Sequence, residues 1–313
     1  MKSLNYFNNR KAPGFDCLYN SIKTIIDLNN IVVVQEADLI LLSNFLNIQY
    51  DGDFPNIDVK LQSIISSLSN NGIVLQKLDV TNTQSLEEIL KREFLLGHID
   101  TTYLSYNDIY IRNKGRSHII VLLEVNNDDL FIYDGHIRNY SGTEVFAGNT
   151  RKEILKYFND IYVVKYTQMP TLNKSILTHY MLKSIETYLN SGLNSQINFI
   201  RDISLIAEYN DQEFENACID INYIIKIDLF VNVLEKTVYC LNHINYSNQE
   251  NLCEIKKLID LWSLNAMLIL RCGITKQRNS LKNYIDKSLD ILNRQKILME
   301  KLYCDLLQIC DKR

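Results

Sequence analysis

The apolar spacing of this chain changes period twice, and that limits the folds open to it more than any single residue does. In the first stretch the spacing is helical. Leu18, Ile22, Ile25, Ile26 and Leu28 recur at roughly three and four, and Val59, Leu61, Ile64, Ile65 and Leu68 do the same. Helices are expected over 17–29, 36–46, 58–69 and 85–96, with a short strand at 73–78. Between 101 and 166 the runs become short, β-branched and aromatic, so 101–106, 108–112, 117–125, 130–133 and 160–166 read as strands. The polar cluster Asn126 to Asp129 between two of them marks a hairpin. After Met169-Pro170 the helical period returns, over 175–190, 194–209, 211–242, 249–271 and 276–311. Helices followed by strands, without βαβ alternation, indicate an α+β domain over 1–168; an all-helical domain over 169–313 follows it. In the last helix Leu281, Ile285, Leu289, Leu292, Ile297, Leu302 and Leu306 form the expected buried stripe. Trp262, with Leu261, Leu264 and Met267, is expected in the core of its helix.

Composition removes several classes. At 313 residues the chain is long for one core, which suits two domains. An apolar content of 46% excludes disorder as the main state. A formal charge of −4, with no basic blocks, argues against a nucleic-acid partner. No apolar run approaches the roughly 18 residues of a membrane span. The opening MKSLNYFNNRKAPGF carries no apolar signal segment, so the expected location is cytoplasmic. Of seven cysteines, six lie beyond residue 217 and none forms C-x-x-C, so packed, reduced thiols are expected and no metal site.

One constellation carries chemistry. A cysteine nucleophile needs a helix N-terminus, where backbone N–H groups and the helix dipole favour thiolate. It also needs an imidazole base held in the right tautomer by a carboxylate or amide. Cys17 follows the Pro13-Gly14 break and a capping residue, Asp16, at the start of an expected helix. His118 opens an apolar strand, and Asp134 ends its hairpin partner just before Gly135. A lone cysteine is as readily a small buried hydrophobe, and Asp134-Gly135 as readily a turn. His98, His136, His179 and His243 are expected at the surface or in packing, with His136 the rival base.

Strand alternation sharpens the test. His118, Ile120, Leu122 and Glu124 share one face of their strand. With an even loop at Asn126 to Asp129, Asp134 would face Val121 on the wrong side. An odd loop or a bulge shifts the register by one and brings Asp134 to the face of His118. The triad therefore requires one or the other.

The stretch Pro13-Gly14-Phe15-Asp16-Cys17-Leu18-Tyr19-Asn20-Ser21, with Gln35-Glu36-Ala37 and Ile48-Gln49-Tyr50, resembles the N-terminal domain of the butirosin-biosynthesis-H family. So do Gly97, Asp100, Tyr103-Leu104, Ser117-His118 and Tyr133-Asp134-Gly135, and the likeness covers roughly residues 12–168. The resemblance implies a papain-like cysteine-protease fold turned to acyl transfer. Acyl groups would pass from the phosphopantetheine of an acyl- or peptidyl-carrier protein, through Cys17, to a small-molecule amine, a diamine being one option. It implies no further cofactor. Cys17 would be the nucleophile, His118 the general base and acid, and Asp134 its orienting partner. Lys11 stands where papain-like peptidases carry an oxyanion-hole glutamine; Asn8 and Asn9 are nearby substitutes. Tyr103 and Tyr106 are candidates to line the donor channel, and Arg10 with Lys11 to touch the carrier. Two alternatives stand beside amide synthesis. One is a cysteine peptidase or thioesterase using the same triad. The other is a non-catalytic scaffold, homodimeric through its helical half.

Overall fold

Six extended segments pair edge to edge, the central ones carrying unbroken buried runs. In the computed structural model they form, among the described residues, one antiparallel sheet. The structure describes residues 13–50, 52, 54, 61–79, 83–112, 115–139, 142–167 and 171–311. The fold is α+β, with a helical C-terminal region. The strands are β1 (Ile73–Lys77), β2 (Leu95–Asp100), β3 (Ser117–Asn126), β4 (Asp129–Asn139), β5 (Gly142–Arg151) and β6 (Phe158–Tyr166). They lie in the order β1-β6-β2-β3-β4-β5.

One face of the sheet buries Leu95, Ile99, Ile120, Leu122, Leu130, Ile132, Ile161 and Val163 in a single cluster. Leu86 and Leu90, from the helix Thr83–Leu90, belong to it. Each such side chain contributes about 1.5–3 kcal/mol relative to exposure. Strands β3 and β4 also pack against α1 (Cys17–Leu28). That helix turns Leu18, Tyr19, Ile22, Ile25 and Ile26 inward at three- and four-residue steps.

The hairpin has the register the triad requires. Its turn is even, Asn127-Asp128, with Asn127 in the left-handed region at φ 56°. Leu123 is an extra residue on β3, because Leu122 pairs with Ile132 while Glu124 pairs with Phe131. Beyond this bulge Val121 faces Tyr133, so Asp134 falls on the His118 side.

Several elements differ from expectation. Residues 108–112 form a one-turn helix, Asp108–Arg112, and not a strand, because Asn107 caps it: its side chain accepts the Ile109 N–H at 2.9 Å. The strand expected at 101–106 is displaced to Leu95–Asp100, which shortens the preceding helix; Thr101–Tyr103 is a 3₁₀ turn capped by Asp100. β5 lies in a stretch for which the sequence pattern predicts no element. The start of the helix expected at 58–69 lies outside the described residues, as does the Met169-Pro170 break.

The chain divides into two compact units, Met1–Leu39 with Leu68–Pro170, and Ile40–Ser67 with Thr171–Arg313. In the second unit, the helix Lys174–Thr187 runs through a π turn, Tyr188–Gly192, directly into Leu193–Asp202. Gly192 lets the Leu46 backbone approach this turn, since a Cβ there would lie 2.9 Å from the Leu46 carbonyl oxygen. The helix expected over 211–242 is interrupted by a second π turn, Ile224–Leu229, and by Phe230. Two long helices, Gln249–Ile274 and Leu281–Asp311, complete the unit.

A buried polar chain links these helices. Trp262 Nε1 donates to Gln295 Oε1 (2.8 Å), Gln295 Nε2 to Tyr188 Oη (2.8 Å), and Tyr188 Oη to Gln196 Oε1 (2.7 Å). Trp262 is fully buried as expected, but Leu264 is 61% and Met267 50% exposed. At 100° per residue those two positions point away from the tryptophan, and Asn265 and Ala266 take the inward places. In the last helix Ile297 is likewise outside, and Ser288 and Gln295 join the buried stripe.

Candidate active site

The sheet-bearing unit brings Cys17, His118 and Asp134 together. Cys17 is the first residue of its helix. Asp16 caps it from an extended backbone (φ −146°, ψ 140°), its carboxylate accepting the Leu18 N–H at 3.0 Å. Glu36, at the start of the helix Glu36–Leu42 and nearly buried, accepts the Phe15 N–H (2.9 and 3.0 Å) and the Asp16 N–H (2.7 Å). With its neighbours so occupied, the Cys17 N–H is left, among the described residues, to meet an incoming oxygen.

His118 is 8% exposed and Asp134 not at all. His118 Nε2 lies 3.0 Å from Asp134 Oδ2. Nε2 is turned to Asp134 and Tyr110, which leaves Nδ1 for the hydrogen bond with the Cys17 sulfur. Burial works against a charged imidazole. The Asp134 carboxylate and the Cys17 hydrogen bond outweigh it, raising His118 from its ordinary 6.5 to about 10. Burial likewise opposes ionisation of Asp134, yet His118 and two tyrosine hydroxyls hold its carboxyl below the ordinary range. The geometry thus favours a charged imidazole over a buried carboxylate, one ring nitrogen turned to a thiol at a helix N-terminus. Such a pair can carry an acyl group covalently.

Two tyrosines complete the surroundings of the carboxylate. Tyr106 Oη donates to Asp134 Oδ2 at 2.8 Å, and Tyr110 Oη donates to the same oxygen. Tyr110 Oη also lies 2.8 Å from His118 Nε2. The His136 N–H reaches Asp134 Oδ1 at 3.3 Å.

A second bulge, where β4 carries Gly135 and His136 between Asp134 and Ile137, frees backbone groups from the ladder. This stretch holds the loop that leads into Cys17. The Gly14 N–H donates to the Gly135 carbonyl (2.8 Å), and His136 Nδ1 to the Gly14 carbonyl (2.9 Å). Burial pushes His136 below the ordinary imidazole range. The rival base therefore has one ring nitrogen committed to structure.

The remaining candidates are placed as follows. Tyr106 is tied to Asp134, its ring stacked on Phe146 at 4.3 Å. Tyr103 is exposed and stacks on Tyr157 at 4.1 Å. Asn8, Asn9, Arg10 and Lys11 lie outside the described residues. His98 bonds Ser117 Oγ through Nε2 at 2.6 Å, beside Asp160. Cys218, Cys240 and Cys272 are packed as expected, whereas Cys253 and Cys304 are exposed on outward helix faces. Among the described residues no group of three or more His, Cys, Asp or Glu is placed to hold a metal, and no helix is long and apolar enough to cross a membrane.

Glu36 and Tyr110 escaped sequence reasoning. The signal for Tyr110 was its spacing, four residues from Tyr106 and just after a capping Asn107; reading that stretch as a strand concealed it. No family model matches the sequence, and no curated protein matches it.

Proposed function

We propose that the chain is a papain-like, cysteine-dependent acyltransferase that makes an amide from a carrier-bound acyl thioester and an amine. The observation that carries this reading is Cys17 at a capped helix N-terminus, hydrogen-bonded to an imidazole whose far nitrogen rests on a buried carboxylate. The order Cys, His, Asp and the short motifs around each residue also support it.

In the first half-reaction the Cys17 thiolate attacks the thioester carbonyl. The carbonyl oxygen becomes negative facing the Cys17 N–H, a donor whose loss in such sites costs on the order of 100-fold. The bond to the pantetheine sulfur breaks, and that sulfur leaves with the proton from His118 Nδ1. The acyl group is now on Cys17 and His118 is neutral. In the second half-reaction an amine attacks the acyl carbon, His118 Nδ1 takes the proton from its nitrogen, and Cys17 departs as thiolate. The thioester supplies the driving force. Carrier protein and amine are the partners of this reading.

Incubation with a carrier-bound acyl thioester tests it. Intact mass spectrometry is expected to find an acyl adduct on the protein, lost in Cys17→Ala, and amide on addition of an amine. Free acid as the sole product would turn the reading to a thioesterase or peptidase. Absence of any adduct would favour the scaffold.

A further inference from the structure

We propose that Tyr110 is a positioning residue of this site: its hydroxyl, wedged between His118 Nε2 and Asp134 Oδ2, fixes the ring orientation and tautomer of His118. The inference rests on reading Cys17, His118 and Asp134 as nucleophile, acid–base group and orienting carboxylate.

Counting protons leads there. Three groups meet in a triangle: Tyr110 Oη, His118 Nε2 and Asp134 Oδ2, with sides of 2.8 Å from tyrosine to histidine, 3.0 Å from histidine to carboxylate, and a hydrogen bond from tyrosine to carboxylate. An ionised carboxylate accepts only. Tyr110 has one hydroxyl proton and must spend it on Asp134, so toward His118 it offers a lone pair. His118 Nε2 then faces two acceptors, and the arrangement is satisfied only when Nε2 carries a proton. That leaves Nδ1 as the nitrogen that gives and takes the proton beside Cys17. With Asp134 alone the ring would hang on one contact; with Tyr110, 5% exposed and packed in the sheet's core cluster, it is held at two.

Tyr106 is the internal control. Its hydroxyl donates to the same Asp134 oxygen at 2.8 Å, and no hydrogen bond joins it to His118 among the described residues. Burial and the nearby carboxylate hold both phenols far above their ordinary range, so each stays a donor at working pH. Besides the tyrosines, the titratable group acting on Asp134 is His118; His118 in turn feels Cys17, and His136, whose N–H meets the carboxylate, feels Asp16 and Arg138. Both hydroxyls favour the ionised carboxylate, so removing either raises the pH at which Asp134 gains a proton.

The test measures alkylation of Cys17 by iodoacetamide against pH in the wild type, Tyr110→Phe and Tyr106→Phe. Iodoacetamide needs neither carrier nor amine, so the outcome stands apart from that of the acyl-transfer experiment. Both variants are expected to move the acid limb of the profile to higher pH, because the thiolate is supported by the charged imidazole and the imidazole by Asp134. Tyr110→Phe should move it further, so that the rate measured on that limb falls by about tenfold or more relative to Tyr106→Phe, while the plateau, where the thiolate alone reacts, changes little. An acid limb in Tyr110→Phe that moves no further than in Tyr106→Phe overturns the proposal. Should Tyr110→Phe fail to fold by circular dichroism, nitrogen NMR of histidine-labelled wild-type protein decides. Nε2 of His118 is expected to be protonated in the neutral as well as the charged ring, and an unprotonated Nε2 in the neutral ring overturns it.

Discussion

Asp134 takes three hydrogen bonds on one oxygen and a fourth on the other, with no solvent reaching it. A carboxylate so placed acts chiefly on what it touches, and the side chain it touches that can carry positive charge is His118. The consequence is a dependence of stability on pH with a definite sign. His118 rises from 6.5 to about 10 on folding. Its contribution is therefore complete below about 6.5 and is lost as pH climbs toward 10. Asp134 shifts the other way, so its contribution is present above its ordinary 3.8 and lost as pH falls below that. Urea unfolding of the wild type should therefore show stability declining from about pH 6.5 to 10. In Asp134→Asn the decline should flatten, because burial would then be opposed only by Cys17. An unchanged slope in the variant would show that the carboxylate is not what holds the proton.

At the level of elements, the two bulges of the β3–β4–β5 ladder do the positioning. The first turns Asp134 to the side of His118; the second turns Gly135 toward the loop that leads into Cys17. Glycine at 135 is required by space: a Cβ there would lie 1.9 Å from Asn20 Oδ1 and 2.7 Å from Tyr133 Oη. Gly135→Ala is expected to cost about 1–3 kcal/mol by overpacking. It should also slow Cys17 alkylation, since Asn20 sits one turn along from Cys17 and against Gly14. Adding Asn20→Ala should restore part of both, measured as a double-mutant cycle in denaturant and by alkylation rate. Simple additivity would break the link.

Much at this level was legible in the chain. The Asp16 cap and the hairpin followed from residue spacing, and so did the need for an odd loop or a bulge if Asp134 was to share a face with His118. The bulge's position did not, because Leu123 is one aliphatic among several and nothing local distinguishes it. β5 was illegible for a different reason. GTEVFAGNTR pairs with one neighbour only and buries few side chains, so it has little apolar alternation to show. Residues 108–112 misled because Ile109 and Ile111 alternate as in a strand, while one side-chain cap at Asn107 decides for helix. The triad's candidates were readable as residue types; the tyrosines around them depend on the turn that places them.

For the whole molecule, the path of the chain matters more than its two halves taken in order. Residues 40–67 group with the helical unit although more than a hundred residues separate them from it. Within that unit Tyr50 Oη donates to Asp202 at 2.6 Å, and the rings of Tyr50 and Phe54 each lie 5.7 Å from Phe199, which is fully buried. A fragment of residues 171–313 alone should therefore melt about 5 °C or more below one with residues 40–67 fused to it. Equal melting temperatures would mean that the segment rests on the helices without supporting them.

The strand order has a consequence during synthesis. β6 is the last strand made, yet it lies between β1 and β2, which pair with each other nowhere. A nascent chain on the ribosome holds the first strand without its neighbour until residue 166 has left the exit tunnel. Truncated translation products that stop short of that point would carry an open sheet edge, and they are the species that chaperones and proteases would be expected to meet.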